Sequence, residues 1–325
     1  MLIPLSYTGL PENLQTNIMM AIANNNYPLV SIVLATYNGE KFLEEQLDSI
    51  VRQTYPNIEI IAVDDCSSDK TVEILRKYAL EHKNFRVVVN DVNLGYVKNF
   101  EKACTLATGE YISFCDQDDV WDLEKTALLM GSIGQHPVIY CDSAFFDADL
   151  HSMGRNHSDL KNLASYDNCL YFATDNCVGG HAMIMQRNML DDALPFPVEM
   201  PYDLWLAFVA TFRGEIKYFN QPFVKWRQHG GNVTMSDNDK QRKIGETRKR
   251  LKIFYNYCPP ERQMEKKVLR QLSQSFQSYS PANNFSRMML FFNYKKYLLG
   301  MKKRSELRKF LFCIKMFFKI RLHVA

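Results

Sequence analysis

The alternation of apolar and polar segments along the first half of the chain predicts a mixed α/β fold. Four short apolar runs rich in β-branched residues are typical of buried strands, and they lie at residues 29–35, 58–63, 85–89 and 111–114. Between these runs apolar residues recur at helical spacing, first in residues 42–51 and then around residues 72–79 and 100–103. Strands that alternate with helices indicate an α/β domain with a mostly parallel sheet.

Polar residues follow three of the predicted strands at the point where each strand ends. Thr36-Tyr37-Asn38 follows the first, Asp64-Asp65 the second, and the segment 116–119 the fourth. In open α/β sheets, ligands bind at the carboxyl ends of the strands. The sequence therefore predicts a ligand site at this edge of the sheet. The segment 67–69, Ser-Ser-Asp, is a predicted cap for the helix that follows the second strand.

The pattern changes outside this region. Residues 1–26 have weak periodicity and end in three asparagines, which predicts an N-terminal extension. Residues 27–239 form the predicted main domain, and from Lys240 to residue 325 the chain is helix-like and basic. Residues 294–325 contain ten Lys or Arg and one acid, a local charge of +9. Since the whole chain carries +3, the remainder carries −6.

The cysteines and the N-terminal sequence both indicate the cellular compartment in which the protein is expected. The chain of 325 residues has eight cysteines and no C-x-x-C spacing, so a zinc or dithiol motif is not expected. Several cysteines lie in apolar runs, as suits a reducing compartment. The N-terminus lacks the basic and apolar regions of a signal peptide, and no window of about 20 apolar residues predicts a spanning helix. A cytoplasmic location is expected.

The stretch FCDQDDVW places three carboxylates within four positions, behind an apolar run. Like charges at this spacing repel and need a compensating cation. Asp116 and Asp118 lie two residues apart, so in extended or turning backbone they share one face. Carboxylate oxygens suit Mg²⁺ or Mn²⁺, and an ion held by one or two of them keeps positions free for substrate phosphates.

Other interpretations of the acidic stretch are a solvated turn, in which Asp119 or Asp122 caps a helix from near Trp121, and a phosphatase loop. An EF-hand loop is excluded, because its sixth and twelfth positions would be Trp121 and Ala127 instead of Gly and Glu. The D-x-D-x-V pattern resembles the loop of haloacid-dehalogenase-type phosphatases, with Asp116 as nucleophile. In that family the loop usually follows the first strand, whereas here it follows the fourth. No P-loop motif is present.

Three longer stretches resemble the nucleotide-binding half of family 2 glycosyltransferases, over residues 29–235. They are VSIVLATYNGEKFLEEQLDSIVRQTYPNIEIIAVDDCSSDKT, NLGYVKNF and GEYISFCDQDDVW. YDLWLAF at Tyr202–Phe208, FVKWRQHGGNV at Phe223–Val233 and the Gln117 position resemble rhamnosyltransferase-like members. The resemblance implies a GT-A type fold, a Rossmann-like mixed sheet flanked by helices, as the catalytic domain at 27–239 with a C-terminal helical extension.

The resemblance also implies roles for the residues at the strand ends. One of Asp64 and Asp65 would accept a hydrogen bond from an N–H group of the nucleotide base. The alternative is that Asp65 caps the following helix. Lys98 reaches the nucleotide or its phosphates, or else is an exposed helix lysine. Asp118 is the first choice as metal ligand and Asp119 the second, with Asp116 on the ribose or metal and His229 a further ligand. The full implied nucleotide-binding set is Ala35, Thr36, Tyr37, Asn38, Asp64, Asp65, Lys98, Asp116 and Gln117.

Asp203, ahead of an apolar helical stretch, is the implied catalytic base, and an N-cap aspartate is the alternative. Tyr202 stands where the family usually has an acidic residue or His. The loop 176–181 resembles the one that shapes the donor and acceptor sugar sites, or is a plain turn. Arg227 would neutralise phosphate. The residues assigned to this region are Asn176, Gly179, Gly180, His181, Trp205 and Arg227.

The combined expectation is an inverting glycosyltransferase that depends on Mn²⁺ or Mg²⁺. It would move L-rhamnose from dTDP-rhamnose, or a hexose from a UDP-sugar, to a glycan or lipid-linked acceptor in bacterial surface polysaccharide synthesis. The alternatives are the phosphatase and a non-catalytic nucleotide-sugar binding module. The basic and aromatic C-terminal segment is expected to contact the inner face of the cell membrane, or to pack on the catalytic domain. Nucleic-acid binding is not expected, because no recognised module accompanies the charge.

Overall fold

The computed structural model of the chain describes residues 27–231 and 240–318. The strands of these residues are β1 (Val30–Thr36), β2 (Ile58–Asp64), β3 (Phe85–Val89), β4 (Tyr111–Cys115), β5 (Val120–Trp121), β6 (Val138–Phe146), β7 (Ser152–Asn156), β8 (Met183–Gln186) and β9 (Lys217–Arg227). The α-helices are α1 (Leu43–Val51), α2 (Thr71–Glu81), α3 (Tyr96–Leu106), α4 (Lys125–Ile133), α5 (His157–Leu160), α6 (Leu190–Ala193), α7 (Tyr202–Ala210), α8 (Lys240–Tyr257), α9 (Gln263–Ser275), α10 (Pro281–Asn293), α11 (Lys295–Leu298) and α12 (Glu306–Phe318). Short 3₁₀ helices lie at Cys169–Ala173, Gly180–Ala182 and Arg187–Met189.

The described strands form one sheet, which joins a parallel half to a mixed half. Their order is β3–β2–β1–β4–β8–β6–β9–β5, and β7 pairs with β6 beside this path. β1 pairs in parallel with β2 and β4, whereas β8 runs antiparallel to β4 and β6. Thr36 is in register with Asp64, and Leu34 with Cys115. The loops after β1, β2 and β4 therefore leave the sheet at the same edge, as the sequence predicts.

Alternate residues of the central strands pack on opposite faces of the sheet. Ile32 and Leu34 of β1 pack in a cluster with Leu47 of α1. Val33, between them, packs in a second cluster with Phe100 of α3. All three β1 residues are fully buried. This burial on both faces explains why β1 is a continuous apolar run instead of an alternating one.

The four predicted strands occur within one residue of their predicted bounds. Asp69 accepts the backbone N–H of Thr71, the first residue of α2, at 3.0 Å, but the N-cap position itself is Lys70, outside the predicted segment 67–69. The alternative prediction of a helix that starts near Trp121 was wrong. Residues 120–121 form β5, which is antiparallel to β9, and α4 begins at Lys125. Asp119 caps no helix, because its Oδ1 accepts the N–H of Arg227 at 2.9 Å.

The helices after residue 240 pack on one face of the sheet domain. Phe254 of α8 stacks on Phe208 of α7 with ring centroids 3.9 Å apart. Leu251 and Leu269 belong to the same apolar cluster as Val33 of β1. Within the described residues, no helix combines the length and apolar character that crossing a bilayer requires. The predicted extension 1–26 and the predicted boundary after residue 239 lie outside the described residues.

Asp175 ties the C-terminal region to the sheet domain. Its carboxylate pairs with Lys161 and, at 3.0 Å, with Lys302. Burial acts to raise the pKa of Asp175, but the two ammonium groups outweigh it, so the pKa lies below its usual value. The ion pairs therefore join a loop of the sheet domain to the segment that precedes α12.

Asp175→Asn should lower the free energy of unfolding at neutral pH by about 2 kcal/mol, because charge-assisted hydrogen bonds are lost. Since the folded-state pKa is depressed, this contribution is present above about pH 4 and is lost as the pH falls through the folded-state pKa. Urea unfolding at neutral and acid pH measures both effects. Asp159→Asn is the control, because its pair with Lys303 is exposed and 4.0 Å long. A constant difference at all pH values would contradict this account.

Candidate functional site

Two loops at the carboxyl edge of the sheet are joined by Gln117, the second residue of the acidic segment. Its Oε1 accepts the N–H of Tyr37 at 2.8 Å, and its Nε2 donates to the Tyr37 carbonyl at 3.1 Å. The contact requires Gly39, because a Cβ there would lie 2.4 Å from Gln117 Oε1. Asn38 has a positive φ of 47° and donates its N–H to Ser67 Oγ at 2.9 Å. The predicted residues Tyr37, Asn38 and Gln117 therefore lie together.

The two aspartates after β2 are buried and support the neighbouring loops. Asp64 Oδ1 accepts the hydroxyl of Thr36 at 2.9 Å, and its Oδ2 accepts a backbone N–H of the following loop. Asp65 accepts two backbone N–H groups of the loop before α3, including that of Gly95 at 2.8 Å. Asp64 and Asp65 are 0% and 2% exposed. A base contact by either residue would add to these bonds.

Two further residues of the predicted nucleotide set are Ala35 and Lys98. Ala35 is partly buried near the end of β1. Lys98 lies in the first turn of α3 and forms an ion pair with Glu101 at 2.9 Å. Glu101 also accepts the N–H of Phe196. A contact between Lys98 and a phosphate would therefore require Lys98 to break its ion pair with Glu101.

Asp119 is the fully buried acid of the acidic segment. Its Oδ1 accepts the N–H of Arg227, whereas its Oδ2 is buried with no hydrogen-bond partner among the described residues. Burial and the charges of Asp118 and Asp116 raise the pKa of Asp119 well above its usual value. An unpartnered buried oxygen is costly. A cation beside Oδ2 would remove that cost.

His181 forms a three-residue group with Asp116 and Asp119. His181 Nδ1 lies 3.6 Å from Asp116 Oδ2 and 3.9 Å from Asp119 Oδ2. The other ring nitrogen, Nε2, contacts Ser143 Oγ at 2.9 Å. When Nε2 carries the proton and donates to Ser143, Nδ1 presents its lone pair to the two acids.

This donor set fits a divalent ion. Ligand atoms of Asp116, Asp119 and His181 all lie within 4.8 Å of one another. Two carboxylates and an imidazole suit Mn²⁺, and carboxylates alone suit Mg²⁺. The Asp116 side chain is 40% exposed, whereas that of Asp119 is fully buried. The group is therefore open to solvent on the Asp116 side.

Lys125 is a buried cation beside this group. Its Nζ donates to the carbonyl oxygen of His181 at 2.5 Å and lies 3.0 Å from the centre of the Trp121 ring. Burial lowers the pKa of Lys125 to about 8, and nearby thiol and carboxylate groups, including Asp119 and Asp116, act in the opposite direction. The ammonium group thus offsets part of the acidic charge from inside the protein.

Asp118 and His229 form a second pair, with Oδ2 and Nε2 2.9 Å apart. The Nδ1 of His229 accepts the N–H of Gly231 at 3.2 Å, so in the neutral ring Nε2 carries the proton and donates to Asp118. Burial and the charge of Asp116 raise the pKa of Asp118, and His229 opposes them. In this arrangement His229 orients Asp118, and direct metal ligation by His229 would require a change of tautomer.

Arg227 is 1% exposed, and protein acceptors hold its guanidinium group. Nε donates to the Asp118 carbonyl at 2.8 Å, Nη1 to the Ala148 carbonyl at 2.6 Å, and Nη2 pairs with Glu45. The group also lies over the ring of Phe42, 4.5 Å from its centre. The predicted phosphate contact would compete with these bonds. The geometry gives Arg227 a supporting role for the acidic segment.

Asp203 lies in the first turn of α7, and the N-cap position is taken by Pro201. The simple N-cap alternative was therefore wrong. Burial raises the pKa of Asp203 to about 7. The N–H of Leu204, 2.6 Å from Oδ1, and the N–H of Gly180 act to lower this pKa, whereas the charge of Asp116 acts to raise it. A carboxylate whose pKa lies near neutral pH suits general-base chemistry.

The loop 176–181 passes very close to Tyr202. A Cβ on Gly180 would lie 1.9 Å from the Tyr202 hydroxyl oxygen. The buried Tyr202 ring packs on Phe114 of β4, with centroids 5.2 Å apart. The unusual tyrosine beside Asp203 thus joins α7, β4 and the loop. Within the loop, the Asn176 side chain accepts the N–H of Val178 at 3.0 Å and closes a local turn.

The assignment of Trp205 to the sugar-binding region was wrong. Its side chain is 3% exposed, its Nε1 donates to the Ala193 carbonyl at 2.8 Å, and it packs on Tyr257 at 4.6 Å. Residues two apart on a helix do not share a face, so Trp205 lies on the core side of α7 when Asp203 faces the site. Gly179, in contrast, lies against the ring of His181, 3.0 Å from its would-be Cβ.

Sequence reasoning missed three residues that hold the site together, namely Lys125, Ser143 and Glu45. Lys125 carried one signal, since it begins an otherwise apolar helical stretch six residues after Asp119. Ser143 lies in a strand that the first-half pattern did not include. Glu45 looks like an exposed helix acid, and only the fold brings it to Arg227.

Comparison with known proteins agrees with this architecture. A model of glycosyl transferase family 2 matches residues 31–193. An uncharacterized glycosyltransferase of Haemophilus influenzae is 26% identical over 250 residues, which cover 71% of this chain and 75% of that protein. A Bacillus subtilis protein, provisionally named a teichuronic acid biosynthesis glycosyltransferase, is 38% identical over 98 residues, 30% of this chain and 39% of its own length.

Two solved structures share the fold. S. aureus TarS bound to UDP-GlcNAc aligns with a TM-score of 0.59 and 18% identity, over 90% of this chain and 81% of that one. A mannosyltransferase from Pyrobaculum calidifontis, bound to GDP-Man and Mn²⁺, aligns with a TM-score of 0.51 and 16% identity, over 96% and 90%. The predicted GT-A architecture with a C-terminal helical region is confirmed. The matched residues include the edge of the sheet described above, and the chain belongs to glycosyl transferase family 2.

Proposed function

We propose that this protein is a metal-dependent, inverting glycosyltransferase that moves a sugar from a nucleoside diphosphate to a hydroxyl group of a bacterial surface polysaccharide or its lipid-linked precursor. The observation that carries the proposal is the group of Asp116, Asp119 and His181 at the carboxyl edge of the sheet, whose ligand atoms all lie within 4.8 Å of one another, in a chain of glycosyl transferase family 2. The nucleotides bound by the two solved relatives support a nucleotide-sugar donor. The name of the Bacillus relative supports surface polysaccharide synthesis.

The donor is proposed to bind across the carboxyl ends of β1, β2 and β4. Residues 35–38 and Gln117 would line the nucleotide, with the buried Asp64 and Asp65 holding the surrounding loops. L-Rhamnose from dTDP-rhamnose is the proposed donor sugar, on the sequence resemblance, and a hexose from a UDP-sugar is the second candidate. Selectivity of this kind depends on a few polar contacts in the pocket.

Asp116, Asp119 and His181 are the proposed holders of Mn²⁺ or Mg²⁺, with Asp118 oriented by His229 beside them. When bound, the ion would neutralise charge on the leaving diphosphate. Asp119 and His181 are fixed by Arg227 and Ser143, whereas Asp116 faces solvent. The sequence favours Asp118 as first ligand, and the unpartnered oxygen of Asp119 supports Asp119 instead.

Asp203 is the proposed catalytic base. Its carboxylate would take the proton of the acceptor hydroxyl as that oxygen attacks the anomeric carbon from the side opposite the leaving diphosphate. One such displacement inverts the anomeric configuration. The N–H groups of Leu204 and Gly180 stabilise the ionised carboxylate and lower its pKa, but burial outweighs them and keeps the pKa raised.

The proposed location is the cytoplasm, at the inner face of the cell membrane. All eight cysteines lie within the described residues and are free thiols, as suits a reducing compartment. The phosphatase alternative, with Asp116 as nucleophile, is disfavoured by the family match. A module that binds nucleotide sugars without turnover is the remaining alternative, and variants of Asp203 test it.

The metal assignment predicts a specific pattern in calorimetric titrations with UDP, dTDP and GDP, with and without Mn²⁺. One nucleotide should bind in a metal-dependent manner. Asp116→Asn and His181→Gln should weaken that binding by about a hundredfold, since each removes a ligand, and Asp118→Asn by only about tenfold. The reverse order would move the ion to the Asp118–His229 pair. Failure of every nucleotide to bind would contradict the transferase proposal.

Asp203→Asn should lower the rate of nucleoside diphosphate release from the selected sugar donor by about 10²–10⁴-fold, with nucleotide affinity retained. The wild-type rate should fall in acid as Asp203 is protonated. The midpoint is expected at or below pH 7, because a cation on Asp116 favours the ionised carboxylate. Asp191→Asn, at an exposed carboxylate of α6, is the control. Equal, measurable rates for Asp203→Asn and wild type would contradict Asp203 as the base, whereas a wild type that binds nucleotide but turns over no donor would indicate the binding module.

A further inference from the structure

The C-terminal helix α12 has two different faces. One face packs on α10: Cys313 is fully buried, and the ring of Phe312 lies 6.0 Å from that of Phe291. The opposite face presents an apolar stripe with the three- and four-residue spacing of one helical side. The stripe consists of Leu307, Phe310, Leu311, Ile314 and Phe318. Phe310 is 47% exposed and Leu307 is 67% exposed, so the stripe is uncovered within the described part of the chain.

Helix α10 widens this surface. The ring of Phe292 lies 5.3 Å from that of Phe310 in the stripe. Met289 and Phe285, one and two turns earlier on α10, are 37% and 54% exposed. Their spacing places the three α10 residues on one side of that helix. The uncovered apolar area therefore spans two helices, and surfaces of this kind mark interaction sites.

A basic groove adjoins the stripe at the start of α12. The groove has a volume of about 600 Å³ and is lined by Lys302, Lys303, Arg304, Arg308 and Lys309, with Asn162 and Ser305. Arg308 directly follows Leu307 of the stripe. Lys302 and Lys309 are paired with Asp175 and Glu306, whereas Arg308 has no acid within ion-pair distance in the residues that the structure describes. The groove is thus a concentrated positive surface.

We propose that the stripe and the groove together dock on the surface of an anionic lipid bilayer. The stripe would enter the acyl boundary, and the groove would hold lipid phosphates. Charge complementarity supports this occupant: residues 294–318 contain eight Lys or Arg and one acid. A second copy of the chain fits less well, because a symmetric contact centred on the stripe brings the two basic grooves towards each other.

Docking of this surface would also affect the loop 176–181, and this part of the inference rests on the proposed function. Lys302 lines the groove and also pairs with Asp175, the residue immediately before the loop 176–181. The surface that contacts the bilayer is therefore joined by one ion pair to the loop proposed to shape the acceptor site. An acceptor attached to a lipid would reach that loop from the bilayer.

The test is cosedimentation of the full chain with phosphatidylcholine vesicles, with and without phosphatidylglycerol. Binding is expected only with phosphatidylglycerol and should weaken in high salt. Phe310→Ser/Leu311→Ser should weaken binding by about tenfold or more. Arg304→Gln/Arg308→Gln should weaken it by about 25-fold, since each cation near such a surface contributes roughly a factor of five. Arg76→Gln/Leu80→Ser is the matched control on α2, where Leu80 is 90% exposed, and should bind as wild type.

Several results would overturn the proposal. These are no binding of the wild type to either vesicle, equal binding by the stripe and groove variants, or binding of inorganic phosphate at Arg304 and Arg308 without vesicle binding. A dimer that Phe310→Ser/Leu311→Ser converts to a monomer in light scattering would replace the bilayer with a second copy. Nucleotide titration of the same variants separates the two proposals, because unchanged nucleotide affinity with lost vesicle binding leaves the donor site intact.

Discussion

Burial of several like charges at the end of one strand is the constraint around which the site is built. Asp119 is fully buried and Asp118 largely so, and beside the more exposed Asp116 the three cannot all be ionised unless cations or hydrogen-bond donors face them. The protein supplies Lys125 from inside the fold and the backbone of Arg227 from β9. The unpartnered Oδ2 of Asp119 shows that this internal compensation is incomplete. This oxygen is the point of the acidic segment at which the proposed cation would act.

Much of the fold follows from local pattern. Continuous apolar strands such as β1 predict a sheet that is covered on both faces, and the polar residues that follow these strands indicate the edge at which a ligand binds. Residues 120–121 were harder to assign, because Val120 and Trp121 become a strand only through pairing with β9, about a hundred residues later. Long-range pairing of this kind leaves no periodic signal in a two-residue segment.

The site shows the same division between local and distant information. The acids and Asp203 are visible in the sequence, since carboxylates at strand ends and helix starts are recognisable types. Their surroundings are not visible. The ring of His181 is oriented towards the acids because Ser143 of β6 contacts its other nitrogen. Trp205 does not face the site, because it lies two residues after Asp203 on a helix. Orientation of a side chain depends on the tertiary structure, and motif spacing does not contain it.

The near-contact between Gly180 and Tyr202 limits how such a protein diversifies. With only 1.9 Å between a would-be Cβ and the tyrosine oxygen, position 180 cannot take a side chain while Tyr202 keeps its place. A larger residue at position 180 demands a smaller one at position 202, and the two must be exchanged together. A loop grafted from another protein with a side chain at position 180 would therefore have to be transplanted together with the first turn of α7.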